Sequence, residues 1–152
     1  MDDDSLREAP PGATLVNVAF VGTGLLVGTS VAAALAPDSF ERLHAVLSVV
    51  LFAVGTGALL WAYALGVTRS RADEVTLAGL FFLGGDTAPR EVRRPLRLAL
   101  AVQVVAVVVA ASIRPYTEVA FGVLAPMFGL GLMATWGGRY GSFPPRSPKE
   151  RP

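Results

Sequence analysis

The sequence predicts an all-α, polytopic membrane protein. It should have four transmembrane helices arranged as two antiparallel hairpins, with a short interfacial helix in the central cytoplasmic linker. Three observations predict this. Hydrophobic residues make up 53% of the 152 residues and charged residues 16%, against about 25% charged in an average soluble domain. The charges are clustered and leave four long runs almost free of them. Basic residues also fall overwhelmingly on one side of the resulting topology, as the positive-inside rule requires.

Residues 1–12, MDDDSLREAPPG, read as an acidic cytoplasmic tail. They lack the positive n-region of a signal peptide, so the first apolar run is expected to remain as a span. That run, 13–36, stops at Pro37–Asp38, and a second, 43–67, follows after six residues. So short a connection predicts a tight antiparallel hairpin. Residues 68–95 form a linker. The second hairpin pairs a span over 96–113 with one over 117–136, turning at Arg114–Pro115–Tyr116. Residues 137–152 read as a basic, Pro-rich tail that does not fold, with Pro145-x-x-Pro148 as a weak docking pattern.

The linker contains EVTLAGLFFLGGD, Glu74 to Asp86. Its apolar centre covers about 14–17 Å as a helix, half of the roughly 30 Å hydrocarbon core. It is too short to span. Residues 75–85 are expected to lie in the interface with Val75, Leu77, Leu80, Phe81 and Leu83 dipping into the acyl boundary. A shallow re-entrant loop is the runner-up. With four spans, all but two of the thirteen basic residues, Arg42 and Arg114, share the side that holds both termini and the linker. That side is predicted to be cytoplasmic. Trp61, Tyr63, Trp136 and Tyr140 form an aromatic belt there, with Phe40 and Tyr116 at the other boundary.

Each span offers a row of small residues that carries one strongly polar side chain. The rows are Asn17, Val21, Gly24, Gly28, Val31; His44, Ser48, Leu51, Gly55, Ala58, Ala62; Ala99, Gln103, Ala106, Ala110; and Glu118, Gly122, Ala125, Gly129. Helices in lipid associate through such rows. Matching depth predicts contacts between Asn17 and Gln103 and between His44 and Glu118. The plain alternatives are interhelical hydrogen-bond glue for Asn17 and Gln103, and boundary residues for His44 and Glu118. Pro126 should kink the fourth span by removing a backbone bond to Gly122.

The chain has no cysteine and one histidine, so thiol chemistry and multi-histidine metal sites within one chain are excluded. No phosphate-binding loop, HExxH or GxSxG motif occurs. We assign no catalytic, cofactor-binding or metal-ligating residue, and nothing points to nucleic acid. Asp73, Glu74, Asp86 and Glu91 are interleaved with arginines and are expected to form solvated ion pairs. Arg69, Arg71, Arg90, Arg93 and Arg94 suit the headgroups of anionic lipids.

The run RPYTEVAFGVLAPMFGLGLMATWGGRYGSFPPR, with PREVRRPLRLALAVQVV before it, resembles four-span membrane proteins of actinobacteria to which no activity is attached. The resemblance covers Pro89 to Arg146. It implies a bacterial plasma membrane and transfers no site residues. The function expected is a non-enzymatic accessory or scaffold subunit working through lipid, a membrane-protein partner or a homo-oligomer. The alternative is a small oligomeric transporter or channel using Glu118 and His44.

Overall fold

The computed structural model describes residues 11–146. The acidic tail before residue 11, with Arg7, and the tail after residue 146, with Lys149, Arg151 and Pro148 of the docking pattern, lie outside the described residues.

The fold is all-helical: α1 Ala13–Leu35, α2 Pro37–Arg69, α3 Leu77–Phe82, α4 Arg90–Ile113, a 3-10 helix Glu118–Leu124, and α5 Met127–Tyr140. Among the described residues four helical stretches are long and apolar enough to cross a membrane, namely α1, α2, α4 and Glu118–Tyr140. Their outer surface is compatible with this: Leu35 is 81% exposed, Val21 65% and Val105 62%, and exposed apolar surface on this scale marks a membrane or protein contact.

Two helix starts differ from the sequence reading. Residues 37–42 are not a loop, because α2 begins at Pro37 and only Ala36 separates it from α1. Proline is pre-set for the first helical turn, where its missing N–H would have no partner anyway, and Asp38 complements the helix dipole there. Pro37 therefore starts a helix rather than stopping one. Likewise α4 begins at Arg90, not at 96, and carries Pro95 within it.

Around the bundle the order is α1, α2, α5, α4. The most extensive interfaces join α2 to α5 and α1 to α4, and α1 also packs on α2. The core runs down the middle through Leu26, Leu51, Leu96, Phe128, Met133 and Trp136. At the end that holds Glu118, a smaller cluster of Ala33, Ala110 and Val119 brings α1, α4 and the 3-10 helix together. At the other end, Gly12 adopts a left-handed φ of 77° that suits glycine. The indole N–H of Trp136 donates to the Pro11 carbonyl at 2.9 Å, tying the start of α1 to the end of α5.

The linker is also placed differently from the interfacial expectation, in part. Thr76 caps α3 by accepting from the Gly79 N–H at 3.1 Å. Six residues are too few to hold a helix unaided, and tertiary packing supplies what is missing. Leu80 and Leu83, expected in the acyl boundary, are buried against the bundle, while Leu77 and Phe82 face outward. The contact is close because α5 presents Gly137 to the Leu80 carbonyl and α2 presents Gly66 to the Leu80 side chain. Leu83, at φ 51°, ends the helix one residue before the glycine pair expected to do so.

The tail read as unfolded from residue 137 is ordered as far as Arg146: residues 137–140 complete α5, and 141–146 pack as a strap. The Glu74 N–H donates to the Pro144 carbonyl at 2.8 Å, Arg146 N–H to Ala72 carbonyl at 2.9 Å, and Ser142 N–H to Thr87 carbonyl at 3.0 Å. Arg69 holds this strap in place. Its guanidinium donates to the carbonyls of Gly138 at 3.1 Å and Gly141 at 2.9 Å. It also pairs with Asp73 at 3.6 Å and stacks over Phe143 at 5.2 Å. Replacing Arg69 with Gln removes charge-assisted bonds that partial exposure weakens, leaving a loss of about 1.4 kcal/mol. The expected result in hydrogen exchange is about tenfold faster exchange of the Glu74 and Arg146 amides, with α2 and α5 unchanged. Unaltered strap protection would remove Arg69 from this role.

Candidate functional site

Three polar places stand out in a body that is otherwise apolar. The first is the middle of the bundle. Gln103 on α4 is 1% exposed, and both ends of its amide are engaged. Nε2 donates to the Thr23 hydroxyl at 2.8 Å, and Oε1 accepts from the Gly129 N–H at 3.2 Å. Thr23 in turn donates to the Ala19 carbonyl at 2.7 Å. The reason lies in Pro126. The fourth spanning stretch runs as a 3-10 helix to Leu124 and restarts as α5 at Met127, so the first N–H groups of α5 need partners from elsewhere. Gln103 supplies one from a neighbouring helix.

This corrects the predicted Asn17–Gln103 contact. The face of α1 that packs is Ala19, Gly22, Thr23, Leu26, Ser30 and Ala33, roughly opposite the row anticipated from Gly24 and Gly28. Gly22 is the glycine in use, because the Phe128 ring lies directly over it. Nothing stands within 4 Å of a side chain built at Gly24 or Gly28. Asn17 is exposed, beside an apolar groove lined by Val18, Val21, Leu25, Leu51 and Phe128.

The second place is the end that holds Glu118. His44 is fully buried; its Nδ1 lies 3.2 Å from the Thr29 hydroxyl. That hydroxyl also reaches the Leu25 carbonyl at 2.9 Å. Nε2 has no hydrogen-bond partner and faces Gly122, where a Cβ would stand 2.7 Å away. Ser48, also fully buried, donates to the His44 carbonyl at 2.8 Å. Glu118 does not meet His44. Its side chain is exposed, and its N–H donates to Glu41 Oε1 at 2.7 Å. Asp38, Glu41, Arg42 and Glu118 rim an open cleft of about 500 Å³ above this point. His44 thus lies level with Gly122 and Glu118 with Glu41, one turn nearer the end, and the expected contact between them does not form.

The third place is the arginine-rich end. Arg97 donates to the Phe82 carbonyl through Nε at 3.0 Å and Nη2 at 2.7 Å. Arg93 donates to the Gly85 carbonyl. Both cap the chain leaving α3, as Arg69 caps the end of α5. Arg71, Arg90 and Arg94 are exposed. The expected ion pairs of Glu74, Asp86 and Glu91 do not form; among the described residues Arg69–Asp73 is the salt bridge found. No group of three or more His, Asp or Glu side chains placed to hold a metal ion occurs among them.

Sequence reasoning missed Thr23, Thr29 and the capping role of Arg97. The signal for the last is its spacing: Arg93 and Arg97 lie four residues apart, on one face of α4, which begins at Arg90 rather than at 96.

No protein-family model matches the chain, and neither a curated protein nor a solved structure matches it.

Proposed function

We propose that this chain is a non-enzymatic accessory or scaffold subunit of the bacterial plasma membrane. In this reading it crosses the bilayer four times as two hairpins, with both termini cytoplasmic, and acts through lipid or protein partners. The observation that carries the reading is the closed interior. Gln103 engages both ends of its amide within the bundle, and the axis is filled by Phe128, Met133 and Trp136. A protein so built offers its partners surfaces, namely the aliphatic belt and the α3–strap cap, rather than a passage. The test is affinity purification of the full chain from its native membrane in mild detergent, with mass spectrometry of what accompanies it. Stoichiometric co-purification of a membrane partner, or of bound lipid, is the expected result. A clean monomer free of both contradicts the reading.

One observation favours a second reading, an oligomeric transporter or channel. The unpartnered, buried His44 Nε2 lies near the open carboxylate-lined cleft. An ionisable residue inside a membrane is a functional candidate by default. Glu118→Gln separates the two readings: loss of a flux across proteoliposomes supports transport, and retained partner binding without any flux supports the accessory role.

A further inference from the structure

The fold divides the arginines at its basic end into two sets. Arg69, Arg93 and Arg97 turn to backbone carbonyls of the cap. Arg71, Arg90 and Arg94 are exposed and pair with no carboxylate among the described residues. At about 100° per residue, Arg93, Arg97, Arg90 and Arg94 follow one another round a single arc of about 100° on α4. The first two grip the C-terminal end of α3, so Arg90 and Arg94 stand on the flank beside it.

That flank is amphipathic. Phe82, whose carbonyl Arg97 holds, is 52% exposed, and Leu77 at the other end of α3 is 66% exposed. On α4 the row that continues from Arg94 is Leu98, Ala101 and Val105, all exposed. The surface therefore passes from guanidinium to aliphatic within one helical turn. Glu91 lies about 60° further round than Arg94, and Asp86 belongs to a separate cleft with Glu74.

The geometry points to an anionic phospholipid bound at this flank, its phosphate between Arg90 and Arg94 and its chains over Phe82 and Leu98. This rests on the membrane reading above and deepens it by naming the ligand and the site. Guanidinium groups match phosphate oxygens in charge and in bidentate shape. The apolar row beneath them is continuous with the aliphatic belt that faces the bilayer. An acidic soluble partner would answer the charge but leave that row uncovered.

The experiment uses the full-length protein in dodecyl maltoside. It is titrated with dioleoylphosphatidylglycerol or dioleoylphosphatidylcholine, and bound lipid is counted by native mass spectrometry. A basic residue at the membrane surface gives about fivefold in affinity for anionic lipid. The wild type should therefore prefer phosphatidylglycerol by about 25-fold, and Arg90→Gln with Arg94→Gln should bring the preference close to unity. The Lys double variant, which keeps the charge, should retain most of it, and Arg114→Gln at the opposite end should retain all of it. Inorganic phosphate at millimolar concentration should not displace the lipid. Equal retention of both lipids, full preference in the Gln double variant, or displacement by phosphate alone each overturns the inference. If the lipid preference is absent but a protein partner co-purifies, the lipid site falls and the accessory role stands. The reverse result keeps the site and removes the protein partner.

Discussion

Gly131→Ala is expected to destabilise the protein by about 3 kcal/mol, whereas Gly28→Ala should leave it unchanged or more stable. Both glycines sit inside long helices, and by helix propensity alone alanine gains up to about 1 kcal/mol at either position. Packing reverses the sign at one of them. A Cβ at Gly131 would meet the backbone of Gly55, and a Cβ at Gly55 would meet the backbone of Met127 and Phe128. Overpacking a well-filled core costs about 1–3 kcal/mol. The upper end applies because a backbone atom has no alternative rotamer to adopt. The α2–α5 interface, the most extensive between helices among the described residues, must then open. Around Gly28 there is open space. Far-UV circular dichroism through thermal unfolding in mild detergent reads both variants. Equal effects at the two positions would refute the close α2–α5 approach.

The second large effect is expected at Gln103. Gln103→Leu should cost about 2 kcal/mol, while Asn17→Ala should fall within about 0.5 kcal/mol of wild type. Interhelical hydrogen bonds in membranes average only about 0.6 kcal/mol, because the separated helices find other partners. Gln103 is worth more for a specific reason. The Gly129 N–H it accepts from lies just past the break at Pro126, and a buried orphaned donor carries its full desolvation penalty. Thr23 is less affected, since its hydroxyl keeps the Ala19 carbonyl. The same unfolding measurement checks the pair. A near-zero effect of Gln103→Leu would mean that the bracket between α4 and α5 contributes nothing net.

These two residues also mark how far the sequence could be read. The four long apolar stretches were legible because a charge-free run of that length has few other uses. The rows on α2, on α4 and on the last span were nearly right. His44, Ser48, Leu51, Gly55 and Ala62 are buried together, as are Ala99, Gln103 and Ala110. The row on α1 was read on the opposite side. Its glycines lie on two faces, and the one that packs is chosen by the Phe128 ring, more than a hundred residues away. No local pattern carries that information. The linker helix shows the same limit: its length and apolarity were legible, but which of its residues turn to the bundle was not, since Leu80 is buried only because Gly66 and Gly137 leave room for it. Pro37 was misread because proline marks the first turn of a helix as readily as its end.

Of the four polar residues the sequence singles out in the spans, Gln103 and His44 are buried, whereas Asn17 and Glu118 are exposed. The partners of the buried two were not legible. Thr23 and Thr29 look like ordinary helix residues until the helices are assembled. Among the five candidate lipid-contact arginines, composition could not separate Arg69 and Arg93, which cap carbonyls, from Arg71, Arg90 and Arg94, which face outward.

The absence of cysteine in the chain makes the central claim directly measurable, because a single introduced thiol has no background. The measurement is labelling of intact cells that express the protein, by a membrane-impermeant maleimide at Ser39→Cys, Ser142→Cys and Val105→Cys. These positions stand at the two ends of the bundle and on its aliphatic belt, and all three are exposed. The account predicts labelling of position 39 from outside, of position 142 only after permeabilisation, and of position 105 in neither case until detergent is added. Labelling of positions 39 and 142 from the same side, or of position 105 in intact membranes, would contradict a four-span protein with its arginine-rich cap inside.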